Sequence, residues 1–205
     1  MTDDAIDHIV FDIGRVLLHW DPELPYRHLI PDADDRRWFL ENVCTTEWNL
    51  EQDRGRGWRE AEDVLIAEHP AHEAEIRAFR THWNEMVPHA HEESVIILRG
   101  LLDQGRDVTL LTNFAADTLN EARGRFGFLN EPRGITVSGE VGFLKPDRQI
   151  YESHAERFDI RPEATLFIDD SPANVHGARA VGWHAVRFTD PAILRRDLQE
   201  FGIVV

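Results

Sequence analysis

The sequence predicts a doubly wound α/β domain with a helical insertion after its first strand. Three observations carry that reading. Short, nearly continuous apolar runs rich in β-branched residues alternate with stretches of helical periodicity, the pattern of a parallel sheet covered on both faces. Several of these runs stop abruptly at polar residues. The stretch 19–90 breaks the alternation and contains no convincing strand.

The elements follow in order. His8-Ile9-Val10-Phe11 reads as the first strand and ends in Asp12-Ile13-Gly14. The region from about 19 to 90 holds four of the six tryptophans between residues 38 and 83 (Trp38, Trp48, Trp58 and Trp83), and residues 31–93 carry 16 acids and seven arginines. The apolar positions Trp58…Leu65-Ile66 and Ile76…Phe79…Trp83 are spaced near three, four and seven, which suits amphipathic helices. A helix over about 93–104 then leads to a strand at Val108–Leu111, which ends in Thr112-Asn113. Helical periodicity returns at 114–126 and 147–158, and Thr165–Ile168 is a strand ending in Asp169-Asp170. A helix at 172–181, a strand at His184–Phe188 and a helix at 191–200 complete the pattern. The expected organisation is a core of residues 1–18 and 91–205, with a helical insertion at 19–90.

Composition narrows the function classes. With 205 residues, 23.7 kDa, 42% apolar residues and a single cysteine, Cys44, the chain can build a core without an internal disulfide. Its 38 acids against 22 bases give a net charge of −16, which argues against nucleic acid and anionic membrane surfaces as partners. No apolar run approaches the roughly 18 residues of a membrane span, and the MTDDAID start is acidic where a signal peptide is basic. A cytoplasmic, soluble protein is expected. Oligomeric state is not legible.

In an open parallel sheet, ligands bind beyond the carboxyl ends of the strands. Asp12, Thr112-Asn113 and Asp169-Asp170 all fall there. An isolated Asp after a strand is commonly a turn former or helix cap, but three such places in one sheet weaken that explanation. The pair Asp169-Asp170 is the sharpest case. Adjacent carboxylates repel each other and a turn needs only one, whereas a hard divalent cation takes both; an acidic turn capping the helix near Pro172 is the plain alternative. Lys145, in Gly142-Phe143-Leu144-Lys145-Pro146-Asp147, is the one lysine beside 21 arginines. A compact ammonium there suits a place among carboxylates, where it would keep a nucleophilic Asp ionised. Compositional chance is the alternative.

The series Asp12-Ile13-Gly14-Arg15-Val16, Leu111-Thr112-Asn113, Lys145-Pro146-Asp147 and Asp169-Asp170-Ser171-Pro172-Ala173-Asn174 resembles, in order, the four motifs of the haloacid dehalogenase-like (HAD) hydrolase superfamily. Ser138-Gly139-Glu140-Val141-Gly142 also resembles that superfamily, and region 19–90 stands where its helical type 1 cap would be. The opening motif is most similar to the bacterial branch that includes α-glucose-1-phosphate phosphatase. The resemblance implies a Rossmann-like core and a Mg²⁺-dependent phosphatase acting on a small phosphorylated metabolite, a sugar phosphate among the candidates. Asp12 would be the nucleophile that forms an aspartyl-phosphate. Thr112 and the Asn113 backbone would hold phosphate oxygens, and Lys145 would neutralise charge on Asp12 and the transferring group. Asp12, the Gly14 carbonyl, Asp169 and Asp170 would hold the metal. Asn174 would orient that loop or serve as an ordinary helix residue.

One departure matters. Most phosphatases of the superfamily carry a second Asp two positions after the nucleophile as general acid and base, and here that position is Gly14. Such help is typically worth 10²–10⁴ in rate. Asp21, His19 and His28 are the nearby substitutes in sequence; a good leaving group would make the acid dispensable. Two further readings stand beside the phosphatase: a 2-haloacid dehalogenase, for which Asp169 and Asp170 would be superfluous, and a phospho-ligand-binding protein with little catalysis. Arg15 would touch phosphate or face solvent. Among the eleven histidines, no pair shows a zinc spacing with a third ligand at hand. The tryptophans of 19–90 are expected mostly in that region's own core.

Overall fold

A computed structural model describes residues 5–205. Five parallel strands form one sheet: β1 (His8–Phe11), β2 (Asp107–Thr112), β3 (Ile135–Val137), β4 (Thr165–Asp169) and β5 (His184–Arg187), in the order β3-β2-β1-β4-β5. The chain walks outward from β1 to β3, then returns to place β4 against the other side of β1. The topological switch point therefore lies between β1 and β4, where ligand sites of such sheets form. β3 is absent from the sequence reading. Its three residues are too few to show a period, and it exists because Leu110 and Thr112 pair with Ile135 and Val137 at the sheet edge.

All four β1 side chains are buried, and the strand alternates between two cores. Ile9 and Phe11 join Val108, Leu110, Leu166 and Ile168 on one face, packed under α7 (Glu92–Asp103), α8 (Ala116–Arg125) and α12 (Pro191–Glu200). Val10, Leu111 and Phe167 point to the other face, beneath Ile150 and Tyr151 of α10 (Arg148–Phe158) and Val175 and Ala178 of α11 (Pro172–Ala180). A buried polar chain crosses this second layer. His8 meets Asp107 at 2.8 Å and Thr109 at 2.8 Å, and His154 of α10 reaches Thr109 at 2.8 Å and Thr136 at 2.9 Å.

Between β1 and α7 the described residues form helices and no named strand: α1 (Glu23–Leu29), α2 (Ala33–Asn42), α3 (Thr46–Asp53), α4 (Trp58–Glu68), α5 (Glu73–Thr81) and α6 (Trp83–Met86). Asp32 and Thr45 cap α2 and α3 through side-chain oxygens. Trp48 and Trp58 pack against Phe79 inside this segment, with ring centroids 5.3 and 6.0 Å away, as expected for core tryptophans. Trp38 is 48% exposed, so it departs from that expectation. The segment meets α8 through Trp58 and Arg80, which reach Asp117, and through Arg80 and Asn84, which reach Glu121. Among the described residues no helix is long and apolar enough to cross a membrane.

Candidate active site

The strand registry brings the predicted residues together. Phe11 pairs with Leu110 on one side and Ile168 on the other, so Asp12 and Asp169 follow at equivalent positions on adjacent strands, with Thr112 ending the third. The Asp12 amide continues the ladder by donating to the Ile168 carbonyl at 2.9 Å. All three side chains are buried.

Lys145 enters from the loop before α10 and is 4% exposed. Its Nζ lies 2.7 Å from Asp12 Oδ1, 2.7 Å from Asp169 Oδ2 and 3.1 Å from the Leu111 carbonyl, one acceptor for each ammonium hydrogen. Asn113 holds the loop in place: its Nδ2 donates to the Lys145 carbonyl at 3.0 Å and its Oδ1 accepts from the Lys145 amide at 2.8 Å. The Asn113 side chain is thus engaged with the Lys145 main chain. Asn174 donates from Nδ2 to both oxygens of Asp169, at 3.0 and 3.1 Å, and the Ser171 amide donates to Oδ1 at 2.8 Å. These bonds fix the carboxylate plane. Asp12 Oδ1 accepts from the Ile13 amide at 2.7 Å as well as pairing with Lys145, which leaves Oδ2 for chemistry.

The charge balance is uneven. Ligand oxygens of Asp12, Asp169 and Asp170 lie within 4.8 Å of one another, and among the described residues Lys145 is the one cation ion-paired with Asp12 and Asp169. Burial pushes the Asp12 carboxyl upward, against the pull of the Lys145 ammonium. Burial and the Asp169 charge push Asp170 upward too, with Arg15 and Lys145 opposing. Burial disfavours the charged Lys145, but Asp12 and Asp169 outweigh it and hold the ammonium above its ordinary range. With all three carboxylates ionised, one ammonium leaves a deficit of two positive charges, and burial raises Asp12 and Asp170 because that deficit is unmet. An all-oxygen donor set with that deficit fits a hard divalent cation such as Mg²⁺.

Beside these groups lies a cavity of about 90 Å³. The core contributes Gly14, Asn113 and Phe114 to its lining, and the helical segment contributes Asn49, Asp53, Trp83 and Val87. Leu18, His19 and Trp20 complete it. Trp83 is thus both packed and cavity-facing. A Cβ built on Gly14 would meet nothing within 4 Å, so the space a side chain would occupy there is open.

Of the three substitutes near in sequence, His19 alone lines this cavity, stacked on His89 with ring centroids 4.9 Å apart. Asp21 instead accepts from the Glu23 amide at 2.9 Å and pairs with Arg27, capping α1. His28 is exposed and forms a cluster with His82 and Glu85, with ligand atoms within 4.8 Å, outside the cavity lining. His28 and His82 are remote in sequence, so spacing could not reveal that cluster. Arg15 is exposed, at a φ of 59°, and close enough to lower Asp170 electrostatically. Asp53 was not anticipated. In sequence it precedes Arg54-Gly55-Arg56-Gly57, and no motif marks it.

A sesquiterpene phosphatase from Aspergillus oryzae is 29% identical over 195 residues, covering 93% of this chain and 94% of its own. A phosphoserine phosphatase from Thermus thermophilus is 33% identical over 84 residues, 40% of this chain and 34% of that one. A HAD family enzyme from Bacteroides thetaiotaomicron, an alanine variant in complex with magnesium and inorganic phosphate, shares the fold with a TM-score of 0.69 at 22% identity, covering 90% of this chain and 94% of that one. Strand order, motif order and a family model that matches residues 6–182 agree, and the chain belongs to the haloacid dehalogenase-like hydrolases.

Proposed function

We propose that the protein is a Mg²⁺-dependent phosphomonoesterase acting on a small phosphorylated metabolite whose alcohol portion is apolar. The observation that carries this reading is the set of three carboxylates and one ammonium at adjoining strand ends, opening beside a cavity with an apolar wall of Leu18, Trp20, Trp83, Val87 and Phe114. The sesquiterpene phosphatase, matched nearly end to end, supports both the phosphate chemistry and an apolar alcohol. Leu18, Trp20, Trp83, Val87 and Phe114 offer an apolar alcohol a surface to bury against, while the polar side chains His19, Asn49 and Asp53 occupy the rest of the lining.

Asp12 Oδ2 attacks phosphorus, the phosphorus–alcohol oxygen bond breaks, and an aspartyl-phosphate forms that water then cleaves. Thr112 and the Asn113 main chain hold the phosphoryl oxygens, while Lys145 offsets charge on Asp12 and on the transferring group. Asp12, the Gly14 carbonyl, Asp169 and Asp170 would hold Mg²⁺, which supplies the remaining positive charge. The helical segment is the cap, closing the cavity over the reacting phosphate. Halide displacement needs no cation, so a dehalogenase would leave the three-carboxylate cluster as uncompensated repulsion.

The test is phosphate release from benzyl phosphate, prenyl phosphates, phosphoserine and hexose phosphates, with Mg²⁺ and with chelator. Apolar phosphates should be hydrolysed fastest, chelator should stop the reaction, and Asp12→Asn should abolish it for every substrate. Turnover indifferent to chelator would remove the metal from the reading, and a clear preference for hexose phosphates would replace the apolar substrate with a sugar.

A further inference from the structure

Gly14 leaves the nucleophile loop without a proton donor, yet the cavity beside it contains a carboxyl group from another part of the chain. We propose that Asp53, at the end of α3 in the helical segment, is the general acid and base of the reaction. This deepens the phosphatase reading and rests on it.

The placement of Asp53 is built from both sides. Its Oδ1 accepts from the Ala115 amide of the core at 3.1 Å, and Asn49 Nδ2 donates to its Oδ2 at 3.1 Å. Its own carbonyl accepts from the buried Ser138 hydroxyl at 2.5 Å, and that hydroxyl accepts from the Phe114 amide at 2.8 Å. The turn that follows lies against the core backbone. Gly55 has a φ of +114°, and a Cβ there would sit 3.1 Å from the Gly139 carbonyl. A side chain this firmly held is not a solvated surface acid. It faces the cavity that Gly14 also lines, where the missing side chain leaves open space.

Its surroundings suit proton transfer. Asn49, the Ala115 amide and Ser138 are its polar contacts from α3, the loop after β2 and the start of the short helix α9 (Ser138–Val141), and none of them is charged. Burial therefore dominates and pushes the carboxyl up to about 7, with the Ala115 amide pulling the other way. A group half protonated near neutral pH can both give and take a proton. His19 is the other titratable side chain lining the cavity beside Asp53.

In the first half-reaction, Asp12 oxygen bonds to phosphorus, the phosphorus–alcohol bond breaks, and the Asp53 carboxyl proton passes to the departing oxygen. In the second, water bonds to phosphorus and gives a proton to the Asp53 carboxylate, while the Asp12–phosphorus bond breaks and phosphate leaves. Both groups end as they began.

Benzyl phosphate and 4-nitrophenyl phosphate, of similar shape but with very different leaving groups, test this with Mg²⁺ present. In Asp53→Asn, single-turnover release of benzyl alcohol should fall by about 10²–10⁴. The first turnover of 4-nitrophenyl phosphate should fall far less, giving a burst of nitrophenol followed by slow turnover as phosphoenzyme accumulates. Asp53→Glu should recover part of the benzyl rate, and so should Gly14→Asp combined with Asp53→Asn, because position 14 has room. In wild type the benzyl rate should decline above about pH 7, as the donor ionises. Equal loss on both substrates without a burst would make Asp53 structural and overturn the proposal. The same leaving-group signature in His19→Asn, but not in Asp53→Asn, would overturn it in favour of His19. Should Asp53→Asn fail to fold, the Asp53→Glu rates and the wild-type pH profile still decide, since an unchanged benzyl rate from pH 6 to 9 excludes an acid of this kind. Wild type inactive on both phosphates would defeat the phosphatase reading itself; wild type active on both with Asp53→Asn unaffected would defeat only this proposal.

Discussion

Lys145 has no spare donor. Its three ammonium hydrogens face two carboxylates and a carbonyl, and its loop is held by both ends of the Asn113 amide. A planar guanidinium is longer and presents its donors as a fork, so it cannot meet three acceptors converging on one point. Lys145→Arg should therefore lower kcat by about 10²–10³, the loss typical for removing one well-placed charge-stabilising donor. Lys145→Met should be worse for stability, since it strands buried carboxylates without their cation, a loss of about 3–5 kcal/mol. Steady-state kinetics and urea unfolding check the two effects separately. Arg148→Lys is the control: that side chain is 70% exposed and pairs with Glu152 in solvent, where such pairs are worth less than about 1 kcal/mol. A Lys145→Arg enzyme with unchanged kcat would show that charge alone suffices at this position.

At the scale of elements, the chain from His8 through Thr109 and His154 to Thr136 ties β1, β2, α10 and β3 together. Burial holds His154 well below the ordinary histidine range, and His8 is lowered for the same reason. A folded-state pKa below the unfolded one means that the unfolded chain takes up the proton first. The stability contributed by neutral His154 is present above pH 6.5 and is lost as pH falls below it. Between pH 7.5 and 5.5 that loss is roughly 1.4 kcal/mol for this one group. His154→Gln lacks the titration, so its unfolding free energy should fall by correspondingly less over the same range. Identical pH slopes for the two proteins would show that His154 charges freely in the folded state. These ties also mark the limit of what the sequence discloses. β1, β2, β4 and β5 are legible because an apolar run ending at a polar residue is a local signal, and their bounds fall within a residue or two of expectation. The strand-end groups Asp12, Thr112 and Asp169 are legible for the same reason, once strands are placed in a parallel sheet. Asp53 is not, because its cavity is made by docking two regions, and its main-chain partner Ala115 lies 62 residues away. Nearness in sequence favoured Asp21, which the first turn of α1 already uses.

Over the whole molecule, the charge of −16 opposes the arrival of a doubly negative phosphate. The arginines are largely committed to local pairs such as Arg99–Glu131 at 2.6 Å and Arg36–Glu23 at 2.9 Å, and the −16 is the surplus of acids that remains once every base is counted. Lys145 attracts only from within the cleft, because it is buried. Long-range repulsion and short-range attraction respond differently to salt. The Debye length shrinks from about 30 Å at 0.01 M to about 8 Å at 0.15 M, which screens the diffuse surplus of acids well before it weakens contacts of about 3 Å inside the protein. The kcat/KM for a phosphate dianion at saturating Mg²⁺ should accordingly rise a few-fold as KCl goes from about 10 to about 150 mM, while kcat, set inside the water-poor cavity, changes little. The same screening acts on the fold, so Tm should rise over that range with chelator present. Steady-state kinetics and thermal unfolding across one salt series measure both. A kcat/KM that falls with salt would mean that the cleft projects a positive field beyond its mouth and outweighs the rest of the surface.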